Sequence, residues 1–474
     1  MPSQTAPGKR SYEISGFAPT DEQLTGRAGL ALFVQYLRRL NFLALLAEPF
    51  GCLRRSRKGE PVESVFLQLL CFFVDGTSRH LTWFDSLRQD SSYAAVLGGS
   101  VERLLSSHSV KRFLAGFSPV VCWRFRPLLH YLFCWRLQQS NPKVVVLHLD
   151  AVVLDNDEAK RRHGVQPTYK QVNGFAPLQL SWGPFIVDAV LRGGKRHSNH
   201  ADTAVKMLEK IVTLIRAGYS RTAPIVVCLD SGFYDETLFA ALAARENVGF
   251  VCAGKRYEDI LIPMRELGED ELTVYRQGED ADATCWGYRE FVEQRASWCR
   301  AYRGLYLRTL SRAGQGLLAL DASTERVLVT NLGRGGKIDD ALREAGRADL
   351  LTAEGIIGLD HDRGNGELVW RAMKDFLDQR LPCLRFLPNM AWYYTALLAF
   401  NLYEAFKRDV LADVVPLRAY PTTVRRQVFD IAGKVVRHGG RVLLKIARAT
   451  CERLRLDQLW QRASSPPSLA IATT

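Results

Sequence analysis

The chain has 474 residues, and its 63 Lys and Arg against 50 Asp and Glu give a formal net charge of +13 at pH 7. Hydrophobic residues make up 47% and charged residues 24%, a composition that is ordinary for a globular protein and excludes a wholly disordered chain. The longest apolar runs, such as Val65–Val74, are well short of the roughly 18 residues needed to span a bilayer, and the N-terminus lacks the apolar stretch of a secretory signal. The ten cysteines include no two within four residues of each other, which argues against a zinc ribbon or a redox pair. We therefore expect a cytoplasmic protein with no membrane contact, and the positive charge favours a polyanionic partner such as nucleic acid.

The first part of the chain is predicted to be helical. Residues 1–24 are polar and are expected to form a disordered tail, whereas residues 25–140 show apolar residues at three- and four-residue steps. The clearest series is Leu30, Phe33, Val34, Leu37, Leu40 and Leu43. Basic residues cluster at the edges of this region, and helices with such edges can enter the major groove of DNA.

From residue 141 to residue 254 the pattern changes to alternating strands and helices. Val144–Leu149 is a β-branched run that ends in Asp150, and Pro224–Leu229 is a second apolar run that ends in Asp230. The other predicted elements are strands over 174–180 and 184–191, a helix over 202–217, a helix over 236–245 and a strand over 248–253. This order predicts a mixed α/β layer around one hydrophobic sheet.

The rest of the chain divides into three segments. Residues 255–350 carry short strand candidates between glycine-rich and charged turns, and we interpret them as a β-rich insertion. Residues 351–415 return to a helical pattern, over 364–378 and 391–406, and are expected to complete the α/β core. Residues 416–474 are rich in Arg and Lys and are expected to form a basic helical segment that ends in a flexible tail.

Asp150 and Asp230 are candidate metal ligands because both end a buried strand. Carboxylates at strand ends escape burial but are held rigidly, which suits the coordination of Mg²⁺ through oxygen. The alternative is that each aspartate only ends its strand in a turn, as aspartate often does.

Glu367 is a third candidate acid. On a helix it shares one face with Arg363, Arg371 and Lys374, at offsets of −4, +4 and +7. An acid among three bases suits a metal ligand beside a phosphate backbone, although the same spacing also fits a surface helix with ion pairs.

Two other groups have ligand-like residues. Asp155 and Asp157 follow the first strand, but their polar surroundings favour a solvated loop. His197 and His200 are spaced like zinc ligands, but no second pair follows at a suitable distance, so we do not expect a zinc site.

In their order along residues 30–450, these motifs resemble the DDE transposases of bacterial insertion sequences. The family's helix signature is Tyr, two residues, Arg, three residues, Glu, six residues, Lys. Arg363, Glu367 and Lys374 match it, while Asp360 stands at the tyrosine position. The other matching segments are 149–150, 164–166 and 177–178 around the first acid, 191–197, 229–233 around the second acid, 327–331, and Asn389, Trp392 and Asn401 after the third acid.

The resemblance implies a fold and a site. The fold would be a ribonuclease-H-like mixed sheet flanked by helices, interrupted by the β-rich insertion. Asp150, Asp230 and Glu367 would hold two Mg²⁺ ions about 3.5–4 Å apart, with Mn²⁺ as a substitute. This site would cleave the DNA ends of an insertion sequence and join them to target DNA.

The resemblance also implies DNA contacts and partners. Arg363, Arg371 and Lys374 would contact phosphates near the scissile bond, and Arg192 and Lys195 on a glycine-rich turn would either meet the backbone or lie in a solvated loop. Trp286 or Trp298 of the insertion would either stack on a base or pack in the core. Residues 25–140 would recognise the terminal inverted repeats, and cleavage of two ends predicts a homodimer on DNA in the bacterial nucleoid. The alternatives are a catalytically silent, domesticated DNA-binding protein and a structure-selective nuclease.

Overall fold

The structure is a computed structural model that describes most of the chain. The described residues are 14, 16–54, 56, 58–196, 202–276, 285–311, 325–377 and 380–470, without the side chains of 311 and 364–367. Most of the expected tail over 1–24, a strand candidate over 316–320, and both His197 and His200 lie outside the described residues.

The N-terminal region is helical, as expected. Its elements are β1 (Leu24–Thr25), α1 (Leu30–Arg39), α2 (Phe42–Phe50), α3 (Val62–Asp75), α4 (Trp83–Leu87), α5 (Ser91–Val96), α6 (Ser107–Leu114), α7 (Pro119–Trp123) and α8 (Phe125–Ser140). Helix α3 is apolar on all sides, and every residue from Val65 to Asp75 is buried, as expected for a helix enclosed by others.

The next elements form the centre of a nine-stranded sheet. They are β2 (Val145–Ala151), β3 (Leu154–Asp155), β4 (Gln166–Pro167), β5 (Asn173–Phe175), β6 (Leu178–Trp182), β7 (Phe185–Val190), α9 (Thr203–Gly218), β8 (Ile225–Leu229), α10 (Glu236–Ala243) and β9 (Val248–Ala253). Strand β8 lies between β2 and β9 and is parallel to both, while β6 and β7 add antiparallel strands on the β2 side. The expected mixed sheet is confirmed.

The strands of residues 255–350 extend this same sheet. The elements are α11 (Glu258–Arg265), β10 (Thr273–Arg276), β11 (Cys285–Glu293), β12 (Tyr302–Ser311), β13 (Glu325–Thr330) and α12 (Lys337–Glu344). Strand β13 pairs with the edge strand β9, and the sheet order is β10-β11-β12-β13-β9-β8-β2-β6-β7. The β-rich segment therefore adds strands β10 to β13 to the central sheet, next to β9.

The remaining elements cover the sheet and close the N-terminal core. They are α13 (Ala353–Leu377), α14 (Phe386–Asp409), α15 (Pro421–Val424), β14 (Gly433–His438), β15 (Arg441–Ile446), α16 (Arg448–Leu454) and α17 (Leu456–Ser464). Apolar residues of α9 and α10 pack on one face of the sheet, and those of α12 and α13 pack on the other. Every residue of α14 from Pro388 to Lys407 is buried, in one core with the N-terminal helices.

Helix α13 begins eleven residues before the expected start at Gly364, which is a correction to the sequence prediction. Glycine is unfavourable in a helix by about 1 kcal/mol relative to alanine, so Gly355 and Gly358 made this stretch appear non-helical. Packing decides otherwise, because the sheet face beneath Ile356 and Ile357 buries both side chains completely.

The C-terminal segment also differs from its prediction as a helical segment with a flexible tail. Strands β14 and β15 form a hairpin whose two-residue turn, Gly439-Gly440, has positive φ at both positions, the geometry that glycine permits in a tight hairpin turn. Beyond α17, two backbone carbonyl groups of the segment 465–470 are bound to α8: the Trp135 indole donates to Ser468 O at 2.9 Å, and the Tyr131 hydroxyl donates to Leu469 O at 2.5 Å.

Among the described helices, none alone has the length and apolar character to cross a membrane. Only Leu30–Arg39 and Phe42–Leu53, taken together as a pair bent by 68°, meet those criteria.

Candidate active site

The two aspartates at the strand ends lie side by side on the sheet. Strands β2 and β8 are parallel with Leu149 opposite Leu229, and the next residue of each strand is Asp150 and Asp230. Since side chains alternate between the faces of a strand, both aspartates lie on the face opposite to the buried Leu149 and Leu229. The sequence predicted that each acid ends a strand of one mixed sheet; Asp230 does follow β8, whereas Asp150 lies within β2, opposite Gln179. That the two acids form a metal site stays a prediction.

Helix α13 passes over that face and closes a cleft of about 370 Å³. Its lining residues include His148, Asp150, Tyr169, Lys170, Gln179, Ser181, Asp230, Arg363, Trp370, Arg371 and Lys374. The cleft therefore combines two described carboxylates with four cationic side chains, and that excess of positive charge suits a polyanionic ligand.

The environment of the cleft disfavours the charged form of both acids. Burial, with a contribution from the neighbouring Asp230, raises the pKa of Asp150 to about 6, although Arg363 opposes this shift. Burial also raises the pKa of Asp230, again against the effect of Arg363. Two neighbouring carboxylates in a partly dry cleft are unfavourable unless a cation neutralises them.

Arg363 is the helix residue most closely coupled to the acids. Its guanidinium Nε lies 3.5 Å from Asp360 Oδ1 one turn earlier on α13, and Asp360 also accepts a hydrogen bond from Arg326 at 2.8 Å. The Asp360 carboxylate thus orients two arginines. Arg363 is thereby held over the aspartates while its side chain stays about a third exposed.

Tyr169 and Lys170 close the cleft from a loop. The Tyr169 hydroxyl donates to Ala151 O at 2.9 Å, and burial together with the two aspartates raises its pKa to about 12. The hydroxyl therefore remains protonated at neutral pH and keeps its hydrogen bond to Ala151 O. Lys170 is exposed at the rim, where a cation can reach a phosphate.

His148 lies under the same helix, two residues before Asp150 on the same face of β2. Its Nδ1 is buried and has no hydrogen-bond partner among the described residues. Burial and the nearby Arg363 lower the pKa of His148 to about 4, so the ring is neutral at pH 7 and does not add to the positive charge of the cleft.

Glu367, the third acid predicted from the sequence, has a side chain outside the described residues. The helix itself is continuous through its position. Arg363 and Arg371 lie one turn before and after position 367, and both line the cleft, so helical spacing places position 367 on the helix face that carries these two arginines.

The residues present fit a divalent cation in part. Among described side chains, no group of three His, Cys, Asp or Glu could hold a metal ion. Asp150 and Asp230 provide two neighbouring oxygen donors, and among the described residues Arg363 and Lys170 offset only part of the effect of burial on the pKa of Asp150. This donor set suits Mg²⁺ or Mn²⁺ rather than a softer metal.

Arg192 and Lys195, both predicted to meet DNA, have different environments. Arg192 is buried, its Nε donates to Ala176 O at 2.9 Å, and burial lowers its pKa to about 10. Arg192 therefore stabilises the turn from its buried side. Lys195 is exposed and is available to a phosphate.

The two tryptophans of residues 255–350 both pack against neighbouring side chains. Trp298 is half-buried, with its ring centroid 5.2 Å from that of Tyr234 and 5.6 Å from that of Tyr302. Trp286 is buried, with Arg326 5.5 Å from its ring. Both tryptophans therefore have the surroundings expected of side chains that pack in a core. Base stacking by Trp298 stays a prediction.

Asp155 and Asp157 line a separate cavity of about 720 Å³. Asp157 accepts a hydrogen bond from the Asn173 amide group at 2.6 Å, and Asp155 accepts one from the backbone N–H of Asp157 at 2.8 Å. These bonds stabilise the loop, in agreement with the solvated-loop interpretation.

Several residues of the cleft are not among those predicted from the sequence. His148 could have been found, because strand alternation puts it on the face of Asp150. Tyr169, Lys170 and Gln179 carry no such signal, since a loop and a different strand bring them to the cleft.

Comparison with known proteins gives one family match. The profile described as "Transposase DDE domain group 1" matches residues 18–465. No curated protein matches the chain. Among solved structures, a piggyBac transposase synaptic complex with hairpin DNA is similar at 10% identity and a TM-score of 0.39, over 86% of this chain and 82% of that chain.

Proposed function

The chain belongs to the family of transposase DDE domains of group 1, and we propose that it is an active transposase that cleaves the terminal inverted repeats of its own insertion sequence and joins them to target DNA. The observation that carries the proposal is the pairing of Asp150 and Asp230 at the ends of two parallel strands, in a cleft with four cationic side chains. In a protein that only bound DNA, these two carboxylates would oppose the binding of a phosphate beside them.

The proposed reaction is phosphodiester transfer. Water attacks the phosphorus at an element end and releases a 3′-hydroxyl and a 5′-phosphate; that 3′-oxygen then attacks a target phosphate and displaces the target's 3′-oxygen. Both steps need a phosphate held in line with its nucleophile and partial neutralisation of its charge.

The side chains of the cleft have distinct tasks in this proposal. Arg363, Arg371, Lys374 and Lys170 bind and orient the DNA phosphates, and the Tyr169 hydroxyl, which donates to Ala151 O, holds its loop beside the cleft. Asp150, Asp230 and Glu367 are the proposed ligands of two Mg²⁺ ions, which would activate the attacking oxygen and stabilise the leaving one.

We further propose that the protein works as a homodimer on DNA and that residues 25–140 recognise the inverted repeats. Two ends must be cut and joined together, which requires two active sites. The net charge of +13 supports association with DNA.

The proposal is tested by replacing the acids one at a time. Asp150→Asn, Asp230→Asn and Glu367→Gln should each lower Mg²⁺-dependent nicking of a terminal-repeat duplex by more than about a hundredfold, because the developing charge on the phosphate is then no longer neutralised. Duplex binding, measured by fluorescence anisotropy, should remain. Asp157→Asn is the matched control, since this nearby acid lies in another cavity and should leave nicking unchanged.

Other outcomes separate the alternatives. If the wild-type chain binds the duplex but nicks it with neither Mg²⁺ nor Mn²⁺, the protein is the catalytically silent relative. If it nicks branched DNA but forms no strand-transfer product, it is a structure-selective nuclease. Full nicking by any one acid variant removes that residue from the site.

A further inference from the structure

The hairpin of β14 and β15 is a basic ribbon that the active site does not use. From Ile431 to Cys451 the sequence contains five Lys and Arg and no Asp or Glu: Lys434, Arg437, Arg441, Lys445 and Arg448. Within the described part of the chain, the one acid in an ion pair with this ribbon is Glu22, which contacts Lys434. The net positive charge per residue in this segment is therefore far above that of the whole chain.

The base of the ribbon is fixed to the protein. Val435 is buried, and Leu444 and Ile446 pack against a small core that includes Ala28 and Leu454. Strand β1 pairs with the other edge of β14. Because its base is anchored, the ribbon has a fixed orientation relative to the rest of the protein.

The tip of the ribbon is exposed on both faces. Every residue from Arg437 to Leu443 is exposed, including Val442 at 53% and Leu443 at 52%. Arg437 lies opposite Val442, and His438 lies opposite Arg441. Because directly opposite residues share a face and adjacent residues do not, each face of the tip presents an apolar side chain together with a cation.

Protection of an edge strand explains only part of this pattern. Lysine and arginine on an exposed edge prevent strands of two molecules from pairing. Exposed apolar residues favour association instead, and edge protection does not explain two of them in a row at the tip. We therefore expect Val442 and Leu443 to be covered by a binding partner.

We propose that this ribbon, Lys434–Ile446, inserts its tip into the major groove of duplex DNA, with Arg437 and Arg441 on phosphates and with Val442 and Leu443, one on each face of the ribbon, against the two sides of the groove. The major groove is about 12 Å wide and about 8.5 Å deep and accepts a two-stranded ribbon. At about 3.4 Å per residue, the two to three exposed residues of each strand extend roughly 7–10 Å, which matches that depth. A second copy of this chain fits less well, because edge-to-edge pairing would bring Arg441 and Lys445 of two ribbons together.

The inference rests on the proposed function for its DNA partner, and it adds a DNA contact outside the catalytic cleft. The probe is a fluorescein-labelled duplex of random sequence, and the readout is anisotropy of the full-length protein without Mg²⁺ between about 50 and 200 mM salt. In the double variant Arg437→Gln/Arg441→Gln, the slope of log affinity against log salt should fall by about two, roughly one for each lost phosphate contact. In Val442→Ser/Leu443→Ser the affinity should fall while the slope stays the same.

The matched control removes two positive charges elsewhere. Lys210 and Arg221 are exposed on and beyond α9, and Lys210→Gln/Arg221→Gln should keep the wild-type slope. All replaced ribbon residues are exposed, so the thermal unfolding of these variants should match the wild type.

The outcomes separate this inference from the proposed function. An unchanged salt slope in the arginine variant overturns the ribbon contact, whatever the nicking activity. A variant that dissociates from dimer to monomer in sedimentation with its salt slope intact shows that the tip contacts a second copy, which also overturns it. A reduced slope in a protein that never nicks DNA supports the ribbon and contradicts only the proposed catalysis.

Discussion

Single buried charges in this protein are compensated by specific partners, and Asp188 is the clearest case. It is fully buried on β7, it accepts a hydrogen bond from Arg126 Nε at 2.7 Å, and His130 Nε2 lies 3.3 Å away. Burial alone would raise its pKa, but these contacts outweigh burial and hold the pKa below its usual value. The carboxylate therefore remains charged inside the core. The aspartates of the cleft, Asp150 and Asp230, differ in that burial raises the pKa of both, because the described cations near them offset the effect of burial only in part.

Replacing Asp188 by Asn should lower the free energy of unfolding at pH 7 by about 3–5 kcal/mol, because Arg126 is then left without its counter-charge. The pKa is lower in the folded than in the unfolded state, so the stabilisation is present above the unfolded pKa, about 3.9, and is lost as the pH falls through the folded value. The difference between wild type and variant should therefore shrink in acid. Urea unfolding at a series of pH values measures this.

A matched control is Asp413→Asn. Asp413 is about half exposed and pairs with Arg462 on the surface, so its loss should cost at most about 1 kcal/mol. If both variants lose the same stability, the buried ion pair is not what stabilises β7 against α8.

Helix α13 shows how packing sets the bounds of an element. Its first half contains glycines that weaken a helix, yet the helix extends from Ala353 because one side packs on the sheet and on the preceding turn. The backbone of Gly355 lies so close to that turn that an added Cβ would be 2.0 Å from Asp349 O, whereas a Cβ at Gly358 would meet nothing within 4 Å. Close packing therefore requires glycine at position 355, whereas packing does not require it at position 358.

We expect opposite effects when each of these glycines is replaced by alanine. Gly355→Ala should destabilise the protein by at least about 1–3 kcal/mol through overpacking. Gly358→Ala should stabilise it by about 0.5–1 kcal/mol, because alanine is the better helix former. Thermal unfolding of the two variants provides the comparison, and equal losses would show that the close approach to Asp349 is not limiting.

Across the whole molecule, the N-terminal helices and the sheet region share one core through α14. Residues of α1, α3, α8, α14 and β7 belong to the same buried cluster. Asp409 at the end of α14 accepts hydrogen bonds from the Tyr36 hydroxyl at 2.7 Å and from Arg136 at 2.9 Å. The boundary at residue 140 that the sequence suggested therefore crosses a continuous core.

A chain of residues 141–474 should consequently fail to fold cooperatively. Removal of the N-terminal helices would expose much of the apolar surface of α14, and exposed patches of that size promote aggregation. Co-expression of residues 1–140 with 141–474 should restore solubility, since the two pieces rebuild the same core. A soluble, monomeric 141–474 with one sharp unfolding transition would contradict this expectation and would favour independent domains.

The sequence alone was sufficient for features that depend on local pattern. These features depend on residues near one another in the chain, so periodicity or a motif is enough to predict them. They are the β-branched runs before Asp150 and Asp230, the helical spacing in α1 and α9, and the spacing of Arg363, Glu367 and Lys374. The Gly439-Gly440 turn is equally local, although the basic residues around it favour the prediction of a helical segment.

Only the tertiary structure decided what lies next to what. The register of β2 against β8 aligned the two aspartates, the sheet face lengthened α13 over its glycines, and a loop brought Tyr169 and Lys170 to the cleft. The same packing took Arg192 into the interior and extended the central sheet with the strands of residues 255–350. These outcomes depend on contacts between residues far apart in the chain, whose energies no local pattern contains.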